Sequence, residues 1–262
     1  MADLNGKDGQ EVPAAPLPGN GAEDADIRDL LQGMEATGAT PGQALAMVAE
    51  AFEDETVLRM SMERFETMAN SDEVLELLDD LAESVPDLAV AVFHRWGNGR
   101  KILGDLDLSD RAWITSVPDG LDIKGSLNLA DCRSLTTLPL GLRVANGICL
   151  EACTALESPP EGFKAKGGLD LSDCSALRAL PAGLAVGGDL NLHWCNHLAS
   201  LPDGLLVIGS LIVSGCASLP LLPASLKVLG DLVLDRVCPL SLLTTGKIRA
   251  MAPRIRGNIE RH

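Results

Sequence analysis

Leucine-type residues recur in pairs along the second half of the chain, with one residue between the two members of each pair. The pairs stand at positions 106/108, 127/129, 148/150, 169/171, 190/192, 211/213 and 232/234, so each lies 21 residues after the one before it. Alternation with a period of two predicts a short β-strand with both leucines on one face. One unit of this length cannot bury that face alone. We therefore expect neighbouring units to stack and their strands to pair in parallel.

The other positions of the unit repeat with the same period. The consensus is L-x-L-x-x-C-x-x-L-x-x-L-P-x-G-L-x-V-x-G-x, with Cys at 132, 153, 174, 195 and 216 and Pro at 118, 139, 160, 181, 202 and 223. Arg111 stands at the cysteine position of the first unit, and Val237 at that of the last. Proline resists both helix and sheet, and the stretch after it is too short for a helix. We therefore predict a return path of extended or 3₁₀ segments.

Residues 24–96 have a different, helical spacing of apolar residues. The segment "TPGQALAMVAEAFED" opens with Thr40 as a cap and Pro41 at the first helical position, which is a typical helix start. Four or five short amphipathic helices of this kind predict a small acidic bundle. Residues 1–23 are rich in Gly, Pro, Ala, Asp and Asn, and this composition predicts a disordered leader.

Together these patterns predict an α+β fold, in which a small N-terminal helical bundle precedes a repeat solenoid with a short parallel β-sheet. The predicted segments are a disordered leader (1–23), an acidic helical bundle or cap (24–96), the solenoid (97–245) and a basic C-terminal cap (246–262). Trp96 and Trp113 lie near the junction, and we expect them to seal the bundle against the first unit.

The repeating unit resembles a leucine-rich repeat, and it is most similar to the short bacterial type with an L-P dipeptide in its variable half. The resemblance covers about residues 100–245, with Cys at the turn position where Asn is more usual. It implies a curved solenoid that binds protein through a concave strand face. Some bacterial proteins of this type are delivered into host cells, and some carry a ubiquitin-ligase domain. This sequence has no C-x-D motif, so we do not infer that activity.

The recurring cysteines suggest buried structural thiols. At the position where the chain leaves the strand, a small side chain can be buried and donate a weak hydrogen bond, and cysteine suits both requirements. A column of inward-pointing cysteines does not guarantee disulfide geometry. A metal ladder is a second interpretation because thiolates are strong ligands, but C-x-x-C pairs are absent from the sequence. We expect no metal and no cofactor.

Charge divides the chain into two parts. The net charge is −16, and residues 1–95 account for all of it, whereas residues 96–262 carry 16 acidic and 16 basic side chains. An acidic excess repels phosphates, so we expect no nucleic-acid partner. No apolar run approaches the roughly 20 residues of a membrane span, and no signal peptide is visible. We expect a cytoplasmic protein with no membrane partner, and secretion by a specialised system stays open.

Outward positions of the strands are the candidate partner-binding surface. In the predicted solenoid the residues between and after the paired leucines point away from the core, where exposed aromatics favour binding. A solvated polar surface is the plainer interpretation, and a metal or acid–base cluster of Asp170, Asp173 and His193 is another. The candidate partner-binding residues are Asp107, Asn128, Asp170, Asp173, Asn191, His193 and Trp194.

The function we predict is non-catalytic protein–protein interaction, as an adaptor or scaffold in a bacterial cytosol. The partner would bind the concave repeat face, the acidic helical domain, or both. A secreted bacterial effector that binds a host protein is the second hypothesis. A metal-binding or enzymatic protein that uses the acidic strip is the third. We identify no catalytic residue, because the sequence offers neither an activated nucleophile nor a phosphate-binding glycine loop. Partner identity and oligomeric state stay open.

Overall fold

A computed structural model describes residues 75, 78–79, 82–83 and 86–262 of the chain. The predicted leader at 1–23 and most of the predicted bundle at 24–96 lie outside the described residues. The described part begins with helical residues at 75, 78–79 and 82–83, followed by helix α1 (Pro86–Gly97). Proline at the first position and Asp87 in the first turn suit a helix N-terminus. No helix among the described residues is long and apolar enough to cross a membrane.

After α1 the chain winds into a parallel β-solenoid in which each turn contributes two very short strands. Both paired leucine-type residues of every unit are buried. In chain order the strands are β1 (Lys101–Ile102), β2 (Leu106–Asp107), β3 (Asp122–Ile123), β4 (Leu127–Asn128), β5 (Arg143–Val144), β6 (Ile148–Cys149), β7 (Lys164–Ala165), β8 (Leu169–Asp170), β9 (Ala185–Val186), β10 (Leu190–Asn191), β11 (Leu206–Val207), β12 (Leu211–Ile212), β13 (Lys227–Val228), β14 (Leu232–Leu234), β15 (Arg254–Ile255) and β16 (Ile259–Arg261).

The even-numbered strands form one eight-stranded parallel sheet, in the order β16-β14-β12-β10-β8-β6-β4-β2. Pairing aligns equivalent residues of successive units, so that Leu106 lies opposite Leu127 and Leu190 opposite Leu211. This register confirms the stacked repeat solenoid predicted from the spacing of the leucine pairs.

The odd-numbered strands form the return side, which is extended as predicted. They divide into a three-stranded sheet, β1-β3-β5, and a five-stranded sheet, β15-β13-β11-β9-β7. The interruption falls between β5 and β7. In that unit Pro159 replaces the leucine before the repeated proline, and Phe163 replaces the leucine after the glycine. Phe163 is buried, so a ring occupies a layer that the other units fill with aliphatic side chains.

Residues 246–262 contribute to a further turn of the solenoid. A 3₁₀ helix (Pro239–Leu242) and helix α2 (Thr245–Met251) precede β15, and the Thr244 hydroxyl accepts a hydrogen bond from the Lys247 N–H at the start of α2. β15 pairs with β13, and β16 pairs with β14. The Arg249 guanidinium donates to the carbonyl oxygens of Ile255 and Gly257 at 2.9 and 2.8 Å, which fixes this turn to α2.

A column of glycines allows close stacking at the corner between the two sides. A Cβ atom at Gly188 would lie 2.7 Å from the Gly168 nitrogen, and one at Gly230 would lie 2.6 Å from the Gly209 carbonyl carbon. The N–H of each corner residue donates to its counterpart one turn earlier, at 3.0 Å for Gly188 and 2.9 Å for Gly230. Only a residue without a side chain fits so close to the neighbouring backbone. Asn146 occupies this column in one unit, and nothing in the structure explains it.

Aromatic and charged side chains join the helical residues to the first turn. Asp79 accepts a hydrogen bond from Trp113 Nε1 at 2.8 Å and pairs with Arg111 at 2.9 Å. Phe93 of α1 stacks on Trp96, with centroids 6.0 Å apart, and meets Trp113 edge-on at 5.7 Å. Both tryptophans thus pack at the junction where the sequence analysis expects them. Arg111, which stands where later units have cysteine, binds the helical residues instead.

Candidate functional site

Three neighbouring columns of residues follow the strands of the eight-stranded sheet, and we call them the outer strip; most members are exposed or half-buried, whereas Ser172, Ser214 and Gly215 are buried. The first column lies between the paired leucines, and the other two occupy the first and second positions after each pair. The members are Asp107, Asn128, Cys149, Asp170, Asn191, Ile212 and Val233; Ser109, Ala130, Glu151, Ser172, His193, Ser214 and Asp235; and Asp110, Asp131, Ala152, Asp173, Trp194, Gly215 and Arg236. All seven candidate residues from the sequence lie in the outer strip.

Side chains of the first column fold back onto their own backbone. An oxygen of each Asp or Asn accepts a hydrogen bond from the N–H two residues later, which is the Asx-turn contact. The distance is 3.0 Å at Asp107, 3.1 Å at Asn128, 2.9 Å at Asp170 and 3.1 Å at Asn191. These residues therefore satisfy backbone donors at the end of each strand, a structural task that the sequence interpretation did not assign to them.

Asp170 forms further hydrogen bonds with neighbouring side chains. Its Oδ1 also accepts the Ser172 hydroxyl at 2.6 Å, and its Oδ2 accepts a hydrogen from Asn191 Nδ2 at 3.1 Å. The second bond crosses between β8 and β10, so it fixes two adjacent side chains of the outer strip to each other. The carboxylate is thereby held rigid while its negative charge stays on the surface.

Asp107 lies at the other end of the sheet and is stabilised in its ionised form. Partial burial acts to raise the pKa of its carboxyl, but hydrogen bonds from Ser109 and the charge of Arg111 outweigh that effect and lower the pKa. Asp107 on β2 is three strands from Asp170 on β8, and Asn128 on β4 is two strands from it. At about 4.8 Å per strand, Asp107 is roughly 14 Å away. The candidate residues thus share one face but form two groups.

Six of the seven residues of the third column, all except Arg236, adopt a left-handed backbone conformation. The φ angles are 62° at Asp110, 57° at Asp131, 56° at Ala152, 57° at Asp173, 57° at Trp194 and 77° at Gly215. Glycine and aspartate adopt this conformation readily, whereas bulky side chains rarely do. Trp194 is therefore a conspicuous exception: a large aromatic residue at a position that the backbone reserves for Gly, Asp or Asn.

Trp194 is the exposed aromatic of the outer strip, with 41% of its surface accessible. Its indole lies over Gly215 of the next turn, where an added Cβ would come within 2.9 Å of the ring atom Cδ2. The His193 imidazole meets the indole at 69°, with centroids 5.7 Å apart. The added Cβ would also lie 2.9 Å from the Trp194 nitrogen and 3.0 Å from its Cα, so both the backbone and the indole of Trp194 leave no room for a side chain at Gly215.

Asp235 completes this group, although the sequence interpretation did not name it as a candidate. One oxygen accepts the N–H groups of Gly215 at 2.9 Å, Cys238 at 3.0 Å and Val237 at 3.2 Å. Partial burial acts to raise the pKa of its carboxyl, but these hydrogen bonds and the nearby His193 lower it. Asp235 directly follows the last leucine pair, and this position in the repeat could have identified it as a candidate residue. The structure thus places Asp170, Asp173, Asn191, His193 and Trp194 on two neighbouring turns. Asp235 lies two turns beyond His193, close enough for the two charges to interact.

The cysteines form hydrogen bonds from each turn to the turn before it. The thiols of Cys132, Cys153, Cys174, Cys195 and Cys216 donate to the carbonyl oxygens of Leu108, Leu129, Leu150, Leu171 and Leu192 at 3.0–3.1 Å. Burial raises the pKa of Cys132 to about 11 and those of Cys174 and Cys216 to about 12. Such thiols stay protonated, which disfavours their use as metal ligands.

The last unit places its cysteine differently from the sequence interpretation. Val237 stands at the position that the 21-residue spacing assigns, but 45% of its surface is exposed, whereas Cys238 is fully buried. The charge interaction between Cys216 and Cys238 places the two thiols near each other. One extra residue between the strand and the cysteine therefore shifts the buried position, and Val237 does not replace the cysteine.

No group of three or more His, Cys, Asp or Glu side chains within the described residues could hold a metal ion. Asp170, Asp173 and His193 lie on neighbouring turns, and each hydrogen bond that Asp170 accepts comes from a serine, an asparagine or the backbone. No protein-family model, no curated protein and no solved structure matches this chain.

Proposed function

We propose that this protein is a non-catalytic protein–protein interaction module, a solenoid of the leucine-rich-repeat type that binds its partner through the outer strip. The observation that carries the proposal is Trp194, which is exposed on the surface and held at a left-handed φ of 57°. An aromatic residue in such a conformation costs stability, of order 1–3 kcal/mol. Recognition by a partner accounts for a residue that folding alone would not favour.

The outer strip supports this function through its rigidity. Asp170 and Asn191 are bonded to each other and to the backbone, and the indole of Trp194 rests on Gly215. A partner would not have to order these side chains when it binds, so more of the contact energy appears as affinity. Tryptophan is also among the residues that contribute most to binding energy at protein interfaces.

All seven cysteines are free thiols, and six of them are buried in the core. Buried thiols that donate hydrogen bonds to carbonyl oxygens suit a reducing compartment, in which disulfides rarely persist. This agrees with our proposal of a cytoplasmic adaptor or scaffold.

Affinity capture with the full chain tests the proposal. Immobilised wild type would be compared with Trp194→Ala and Asp170→Lys in lysate of the source organism, with captured proteins quantified by mass spectrometry. Leu140→Ala is the matched control, because Leu140 is a large, exposed apolar residue on the return side. We expect at least one protein to be lost from both outer-strip variants and retained by Leu140→Ala. Thermal unfolding of each variant verifies that the solenoid is intact.

Capture that is the same for wild type and for both folded outer-strip variants would contradict the proposal. Loss of the same proteins from the Leu140→Ala variant would show that the return side is the binding surface. Either result would exclude the outer strip as the recognition surface.

A further inference from the structure

Charge is segregated onto the outer strip. The three columns contain seven carboxylates and one guanidinium, whereas residues 96–262 as a whole carry equal numbers of acidic and basic side chains. Arg236 is in the outer strip, and Arg111 and Arg133 contact its first turns, so the carboxylates of the strip still outnumber the basic groups that it contains or contacts. A surface of one sign concentrates ligands of the opposite sign, so the outer strip favours a cationic partner and repels nucleic acid and other anions.

Within the strip, several carboxylates have no ion-pair partner among the described residues, and one of them, Asp173, lies beside Trp194. In the first turns Arg111 interacts with Asp107, and Arg133 pairs with Asp131 at 2.8 Å. The Asp173 carboxylate is exposed and has no hydrogen-bond or ion-pair partner among the residues that the structure describes. The N–H of this residue donates to the His193 carbonyl at 2.8 Å, which places Asp173 one strand from Trp194.

We propose, on the basis of the proposed function, that the partner presents an arginine or lysine side chain to the face of the Trp194 indole, where Asp170 and Asp173 bind its charged end. A cation over an indole face is attracted by the ring electrons. A carboxylate beside it forms charge-assisted hydrogen bonds, which are about twice as strong as neutral ones. The partner is therefore a basic segment of a protein that lies across the strands.

The test must report locally, because residues 1–95 carry a net charge of −16 and would bind any cationic peptide to some extent. The full chain contains three tryptophans, and of these Trp96 is buried while Trp194 is exposed. Incorporation of 5-fluorotryptophan gives one ¹⁹F resonance for each, and Trp194→Phe assigns the resonance of interest. The probe is an octapeptide of alternating arginine and serine, with its citrulline counterpart as the neutral control.

We expect the arginine peptide to shift the Trp194 resonance in a saturable manner while the Trp96 resonance stays in place. The citrulline peptide should bind at this site about tenfold more weakly, because it lacks the charge-assisted hydrogen bonds. Asp173→Asn should weaken the arginine peptide severalfold at the Trp194 resonance, since it removes the charge and preserves the size of the side chain. Glu161→Gln, which alters an exposed carboxylate of the return side, should leave the titration unchanged.

The inference fails if the citrulline peptide shifts the Trp194 resonance as strongly as the arginine peptide, or if the arginine peptide leaves that resonance in place. It also fails if a neutral chito-oligosaccharide produces the larger shift, since Trp194 would then be a sugar-stacking platform. These outcomes are distinct from failure of the proposed function, in which partner capture is independent of Trp194 and Asp170. If a partner is lost from both capture variants but the arginine peptide does not shift the Trp194 resonance, the proposed protein binding is supported and the cationic contact is excluded.

Discussion

Six of the seven cysteine thiols should resist alkylation by iodoacetamide in the native protein at pH 8, and Cys149 should react first. Cys149 is half-buried on the outer strip, whereas the other six are fully buried. The thiolate is the reactive form. A thiol with the ordinary pKa of 9.0 is roughly one-tenth ionised at pH 8, and partial burial raises the pKa of Cys149 above that value. With pKa values of about 11 for Cys132 and about 12 for Cys174, the ionised fraction falls roughly a hundredfold and a thousandfold.

Burial adds a second barrier, because reagent reaches these sulfur atoms only when a turn separates from its neighbour. Each of the thiols from Cys132 to Cys216 bonds to a carbonyl of the preceding turn at 3.0–3.1 Å, so access requires breaking that contact. Mass spectrometry of peptides after timed alkylation gives the rate at each cysteine. Denaturant should expose all seven cysteines, and Cys149→Ser should remove the fast phase. Native alkylation of several thiols at the rate of Cys149 would refute the hydrogen-bonded column.

Two further predictions concern the stacking of turns and its dependence on pH. Gly230→Ala should destabilise the protein by about 2–4 kcal/mol in denaturant unfolding, because a methyl group would overlap the Gly209 backbone and displace a hydrogen bond. The control Gly147→Ala, whose Cβ would lie 3.6 Å from its nearest neighbour, should change stability by less than about 0.5 kcal/mol. Equal effects of the two substitutions would contradict the close stacking of glycines at the corner. The lowered pKa of Asp235 stabilises the fold above the unfolded pKa, and this contribution is lost as pH falls through the lower folded pKa. Asp235→Asn should therefore lose less stability than wild type on acidification from about pH 4, and parallel pH profiles of the two proteins would contradict that role.

The stacked strands could be predicted from spacing because each turn repeats the same buried contacts. Leucine pairs and cysteines recur at fixed intervals, and a residue that packs against its own counterpart must recur in this way. The sequence pattern that predicts the strands in residues 246–262 is weaker. "RIRGNI" at 254–259 has the same apolar and glycine positions as "KVLGDL" at 227–232, but the interval is 27 residues. The additional residues accommodate helix α2, and a search at a fixed period of 21 misses the match.

The 21-residue spacing could not predict the backbone conformation or the side-chain hydrogen bonds of the outer strip. Asp110, Asp131 and Asp173 occupy the same position of their units, but the spacing does not show that each has a positive φ, which aspartate tolerates well. Asp107 and Asp170 looked like partner contacts, yet each also bonds its own backbone. A single sequence cannot separate a polar residue needed by a turn from one needed by a ligand, because both tasks favour the same residue types at the same exposed positions.

Departures from a column are more informative than its members, because every turn of the solenoid imposes the same local requirements. Where a turn needs a left-handed residue, Asp and Gly satisfy that need, and their presence requires no ligand. Trp194 does not satisfy it, and Gly215 on the next turn provides the space that the indole occupies. Ala152 departs from the column as well, but its methyl group offers a partner little contact area and nothing in the structure explains it. Trp194 is therefore the residue of the outer strip that folding does not account for and that binding would.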